Sequence, residues 1–369
     1  MNFNQNKNNM NSPRTKLLLL ALLPILFSSC KKVFELPAEK EYISKNLNYG
    51  SKFFEPILGR TTVFGNFNAD NSTQPLTFKI VNARFGDGRP MTDLFTTKEV
   101  WVWTGEYDGK EKSLEEINAK RKKETKPLLE VRTSGQFILW ASATDDLVTA
   151  RKADSSHLVQ NRRFFDVKVS NTGGEVILKD LELRLWRERA YEPQTDVNPY
   201  TGAVARNPID PFNPKGRDYI RPNLSNVIGK VSRKALVSND NIKDVVAYIR
   251  PFTGGNGHSL RFKFLNKDSV AINPALFNET KWDILVHGFN RVTTAEYVQY
   301  DVAYPIPLVN IPTIYASGGR ANVNFSYSRI GFGGIRQTAN IGLGFSIYRE
   351  GDWEIVFHFK TDNPKFEDE

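Results

Sequence analysis

The stretch FFDVKVSNTGGEVILKDLELRLW, residues 164–186, decides the fold class. On one arm Phe165, Val167 and Val169 alternate with Asp166, Lys168 and Ser170; on the other, Leu181, Leu183 and Leu185 alternate with Glu182, Arg184 and Trp186. A period of two collects the apolar side chains of each arm on one face, as a strand requires and a helix does not. Asn171-Thr172-Gly173-Gly174 between the arms is turn chemistry, so the stretch predicts a β-hairpin with one buried face.

The residues upstream repeat this texture. Arg60 to Asn68 and Leu76 to Phe85 are β-rich, and Gly86-Asp87-Gly88-Arg89-Pro90 marks a turn. Glu99 to Tyr107 follows, with Val100 and Val102 on one face and Trp101 and Trp103 on the other. One short helix interrupts the strands. Ser113 and Glu116 make a capping box, and Lys120 to Lys123 fall in the last turns, either as a solvated helix end or as a contact for an anionic partner. Phe137 to Trp140 continues the sheet. Residues 59–190 are read as an immunoglobulin-like β-sandwich, preceded at 30–58 by a tether and lead-in.

Downstream the composition shifts. Six of the nineteen prolines fall within 191–222, four of them in Asn198-Pro199, Asn207-Pro208, Asp210-Pro211 and Asn213-Pro214. Proline fixes φ and lacks an N–H, so this stretch is a linker or crossing loop rather than a sheet interior. Asp196, Asp210 and Asp218 are acidic here, but their spacing matches no calcium loop and Asx-Pro turns account for them.

Residues 223–369 form a second β domain. Strands are predicted at Val245 to Ile249, Leu260 to Phe264, Trp282 to Val286, Tyr297 to Tyr304, Val323 to Tyr327, Ile341 to Ile347 and Trp353 to Phe359. Gly254-Gly255-Asn256-Gly257 and Gly331-Phe332-Gly333-Gly334 separate some of them. Short strands with such turns argue for a sandwich or jelly roll. The fold class is all-β: two β-sandwich domains with one short helix.

At the amino end, LLLLALLPILFSSC, residues 17–30, follows Lys7, Arg14 and Lys16. Its eleven apolar residues from Leu17 to Phe27 fall short of the roughly 20 that would span a bilayer. The order of charged, apolar and small residues is that of an export signal, residues 1–29. Ending in Cys30, it resembles the lipobox of bacterial lipoproteins, which implies acylation of Cys30 and anchoring in the outer membrane, with the periplasmic or cell-surface face left open. Removing residues 1–29, which carry three basic and no acidic side chains, takes the formal charge from +9 to +6. That charge is spread along the chain without a recognition motif, so no nucleic-acid partner is implied.

A search for chemistry returns absences. His157, His258, His287 and His358 are far apart, with no metal-binding pair, and no GxSxG elbow occurs. His258-Ser259 reads as a turn, and Asp145-Asp146 and Glu115-Glu116 are neighbours that cannot form an acid and base dyad by themselves. No catalytic motif, metal site or cofactor is implied. Trp101 and Trp103 are either core, the ordinary place for such rings, or a shelf for sugar C–H faces; Trp186 on its polar strand face is a further ligand-binding candidate.

The stretches FFDVKVSNTGGEVILKDLELRLWRERAYEP, FNETKWDILVHGFN, VQYDVAYPIPLV and GDWEIVFHFKTDNPKFEDE resemble a family of uncharacterised Bacteroidota lipoproteins. The resemblance implies an all-β, lipid-anchored cell-envelope protein with no established reaction or ligand. The function expected is binding of carbohydrate or of an outer-membrane partner protein, with a structural scaffold and a glycan-active hydrolase as the alternatives.

Overall fold

The structure is a computed structural model, and it describes residues 41–149, 162–193, 220–239 and 241–369. Cys30 and the export signal, His157, and Asp196, Asp210 and Asp218 lie outside the described residues.

The protein is all-β. In the first sandwich one sheet runs in the order Phe53–Phe54, Gly174–Leu183, Arg163–Asn171, Thr77–Phe85, and the facing sheet in the order Thr62–Phe64, Phe137–Leu139, Leu129–Val131. The predicted hairpin forms, with Asn171 opposite Gly174. Its apolar face enters the core, where Phe165, Val167, Val169, Leu181 and Leu183 are buried and Phe137 of the facing sheet meets Phe165 edge-on at 5.1 Å. The core also takes in Leu47, Tyr49, Phe54 and Leu58, so the sandwich begins inside the stretch read as a lead-in. Leu47 and Tyr49, and then Phe54, Pro56 and Leu58, are buried at every second position, but each run is too short to stand out as a strand pattern.

Asp166 sits where the alternation breaks. Both neighbouring strands shift register beside it, and Asn82 and Asp180 take positive φ of 51° and 60°. Its buried carboxylate accepts from Asn82 Nδ2 at 2.8 Å and from the Asp180 N–H at 2.9 Å. Burial opposes ionisation, but these donors and Arg84 outweigh it and hold the carboxyl below its usual range.

A hairpin of Thr97–Trp103 and Arg121–Pro127 forms an outer layer. Its Val100 packs with Ile138 and Trp140 of the three-stranded sheet. Helix α1, Leu114–Ala119, lies in the connection between the two arms. Ser113 caps it, accepting from the Glu116 N–H at 3.2 Å, while the Glu116 carboxylate accepts from the Lys112 N–H at 2.8 Å. The helix is shorter than the basic run suggested: Lys120 is its C-cap, and Arg121 to Lys123 belong to a strand. Seven residue pairs between 97–103 and 121–127 satisfy backbone groups that a longer helix would leave open on the tryptophan strand.

The second sandwich faces Val245–Pro251, Trp353–Phe359, Ser259–Leu265, Tyr297–Val302, Gly288–Thr293, in that order, against a sheet built on the hairpin Arg320–Ile330 and Arg336–Ile347. Phe325 is fully buried between the sheets, with Phe264 at 4.9 Å, Phe357 at 5.2 Å and Phe262 at 5.3 Å. Trp282 to Val286 is not a strand as its apolar residues predict. Trp282–Ile284 is a single 3-10 turn that lays the Trp282 ring on Phe325 at 5.6 Å, with the Tyr300 hydroxyl donating to the Trp282 carbonyl at 2.6 Å. The strand starts at Gly288 instead.

The sandwiches meet at one end of each. Tyr191–Glu192 pairs with Ile347 and Ser346, so the chain leaving the first sandwich enters a sheet of the second. Arg60 contacts Glu192 at 3.1 Å with its guanidinium 3.8 Å from the Tyr348 ring, and Arg349 pairs with Glu188.

Candidate aromatic and cationic binding site

Alternation along Thr97–Trp103 gives the two faces of this strand different tasks. Val100 holds the hairpin to the first sandwich, which turns Trp101 and Trp103 outward, away from both inter-sheet cores. In register, Trp101 faces Lys123 and Trp103 faces Arg121, so each ring has a cation for its cross-strand neighbour.

The Arg121 guanidinium lies 4.4 Å from the Trp101 ring centre and 6.0 Å from that of Trp103, and Lys123 Nζ lies 5.5 Å from Trp101. These distances allow cation–π attraction. Arg121 Nη1 donates to the Tyr304 carbonyl of the second sandwich at 2.9 Å, and Nε and Nη2 donate to Asn118 Oδ1 at 3.0 and 2.8 Å. Arg121 is 9% exposed, and none of these partners is charged. Burial works against its cationic form, and the field of Glu350 favours it.

Trp103 is half-buried, its ring 5.4 Å from Tyr107, which opens a second cluster at the junction. Ile117 of α1, Tyr107 and Ala303 are buried there, flanked by Leu114, Phe289, Leu308 and Val309. His287 Nε2 lies 2.8 Å from the Glu111 carbonyl and Nδ1 lies 2.5 Å from the Tyr107 hydroxyl. A carbonyl only accepts, so Nε2 carries the proton, and in the neutral ring Nδ1 accepts from Tyr107. Tyr315 stacks on the imidazole at 4.8 Å. Burial pushes the Tyr107 hydroxyl upward, with Glu111, Tyr315 and Asp108 adding to the effect. The cavity beside this cluster is about 30 Å³, bounded in part by Ile306, Leu308 and Val309. That volume suits a water molecule or two rather than a sugar ring.

Trp101 is different, at 37% exposure with a ring that belongs to no buried cluster. It is the aromatic side chain of this face that a large ligand can reach. Trp186 is not on a polar strand face as its alternation suggests: the strand ends at Leu183, and Trp186 beyond it is half-buried, bridged to Ile57, and does not join the stack. The other sequence candidates stay apart. The Ser259 hydroxyl donates to Asn256 Oδ1 at 2.9 Å rather than toward His258, and Asp145 holds Arg187 at 3.0 Å. His358 is buried with the Ser269 hydroxyl 3.4 Å from Nε2, and burial lowers its proton affinity. Among the described residues no three His, Cys, Asp or Glu side chains converge.

Arg121 and the His287 junction escape sequence reading. Arg121 follows a good helix cap and so reads as a helix end. The signal that finds it is the spacing of Arg121 and Lys123, two apart like Trp101 and Trp103. His287 and Tyr107 are 180 residues apart and carry no local signal.

One protein-family model, described as a domain of unknown function (DUF5007), matches residues 67–368, a span that crosses both sandwiches. No curated protein and no solved structure matches the chain.

Proposed function

Because the chain belongs to DUF5007, a family with no activity to transfer, we propose a function from its own side chains: it is a lipid-anchored protein of a bacterial outer membrane that binds carbohydrate on the Trp101 face. The observation that carries this reading is the contrast between two tryptophans on one strand face. Trp103 is packed into the junction, while Trp101 keeps an open ring held in place by Arg121. A flat, pre-ordered ring supplies apolar contact area to a sugar at little entropy cost. The amino-terminal signal ending in Cys30 supports the location.

Binding is favoured over hydrolysis by the state of the carboxyls. Among the described residues every carboxyl with a shifted ionisation is shifted downward, including the buried Glu111, Asp166 and Glu182. A glycosidase needs one carboxyl raised to serve as general acid.

A role in contacting a partner protein has its own observation. Phe332 is 93% exposed and Ile335 66% exposed at the tip of the Arg320–Ile347 hairpin, the opposite end of the hairpin from the Ile347 pairing with Tyr191. Retention of the purified protein on a panel of immobilised polysaccharides separates these readings. Binding that Trp101→Ala abolishes supports carbohydrate, and absence of any retention removes it in favour of a partner at the Phe332 tip.

A further inference from the structure

We infer that the ligand of the Trp101 face is an acidic polysaccharide, its sugar ring on Trp101 and its carboxylate or sulfate between Lys123 and Arg121; this rests on the carbohydrate reading above. Three observations point the same way.

The first is the charge on Arg121. Buried charges are ordinarily matched by an opposite charge. Arg121 is about nine-tenths buried, yet its hydrogen bonds go to a backbone carbonyl and a side-chain amide, and no carboxylate among the described residues lies within 4.0 Å. Its positive charge is softened by two indole rings and, among the described residues, is met by the field of Glu350 only from beyond ion-pair distance.

The second is the contrast between the two faces of the strand Arg121–Pro127. On the face turned to the first sandwich, Lys122 and Lys126 share Glu124 at 2.9 and 3.1 Å, and these cations hold the Glu124 carboxyl below its usual range. On the tryptophan face the acidic partner of Lys123 among the described residues is Glu99 at 3.7 Å, both side chains being more than half exposed. An anionic ligand displaces such a contact at small cost, because exposed ion pairs contribute little.

The third is geometry. Trp101 and Lys123 are directly opposed in register, and Arg121 is the next residue on the same face of Lys123's strand. Ring and cations therefore lie within one sugar's reach. A uronic acid or sulfated sugar presents an apolar ring face and an anion together, and this face offers a partner for each.

Affinity electrophoresis of the purified protein in gels containing polygalacturonate, its fully methyl-esterified form, chondroitin sulfate or dextran tests the inference. Esterification keeps the sugar ring and removes the charge. The expected result is retardation by at least one acidic polymer, weaker retardation by the esterified or neutral ones, and roughly fivefold weaker binding to the acidic polymer for Lys123→Gln, the size of one exposed charge contact. Trp101→Ala abolishes retardation, and added salt weakens it. Equal binding of esterified and acidic polymer with no effect of Lys123→Gln overturns the acidic ligand and leaves the carbohydrate reading standing. Acidic binding unaffected by Trp101→Ala means diffuse attraction to a basic protein and overturns the site. No retardation by any polymer overturns both.

Discussion

Replacing Phe325 by alanine tests whether the second sandwich is held together as its aromatic contacts indicate. The ring is fully buried and meets Phe262, Phe264 and Phe357 of one sheet, Phe277, and Trp282 of the 3-10 turn, at 4.9 to 6.4 Å. Phenylalanine-to-alanine changes in cores cost about 3–5 kcal/mol, with the larger values where the surroundings cannot collapse into the space. Partners drawn from the facing sheet and from two 3-10 turns limit collapse here, so the expected loss is about 4–5 kcal/mol. With a urea slope of about 3 kcal/mol/M, the midpoint of the second sandwich falls by roughly 1.5 M at unchanged slope. Intrinsic fluorescence follows the transition through Trp282 and Trp353. A loss below about 2 kcal/mol would refute the reasoning, since it would mean that Phe325 does not bridge the sheets.

Other outcomes follow from the same contacts. Trp103→Ala lowers stability by about 2 kcal/mol because a half-buried ring leaves the junction, whereas Trp101→Ala costs under about 1 kcal/mol, and urea midpoints distinguish the two. Tyr107→Phe strands His287 Nδ1 without its donor and costs about 1 kcal/mol in the same assay. For Glu182, burial opposes the charged form, but Arg162 and Arg184 outweigh it and bring the carboxyl down to about 2. A carboxyl depressed by folding stabilises the protein above its unfolded value, near 4.5, and that contribution is lost as pH falls from there toward 2. Glu182→Gln therefore flattens the pH dependence of stability in that window. An unchanged slope would show that the two arginines do not hold the charge.

Most of the β architecture is legible in the sequence because strands with one buried face carry a period of two. Phe165, Val167 and Val169, and Trp353, Ile355, Phe357 and Phe359, enter the cores on that period. The helix start is legible because capping is local to Ser113 and Glu116. Trp282 to Val286 misleads because Trp282, Ile284 and Val286 fall at every second position as a strand's would, whereas the tertiary demand to cover Phe325 decides its shape. The site is legible in part. Trp101 and Trp103 are marked by alternation, but their different exposure depends on Tyr107 and the second sandwich. Arg121 changes meaning once the strand pairing of 121–127 is known. Contacts such as His287 with Tyr107 join distant segments, and a single sequence offers no cue to them.

The most direct measurement is the affinity of the purified protein and its Trp101→Ala variant for a polysaccharide that retains the protein, with urea midpoints measured alongside. Trp101→Ala is expected to lose the polysaccharide while its midpoint moves by less than about 0.3 M, at the same slope of about 3 kcal/mol/M. A folded Trp101→Ala protein that binds as tightly as the native chain would contradict it.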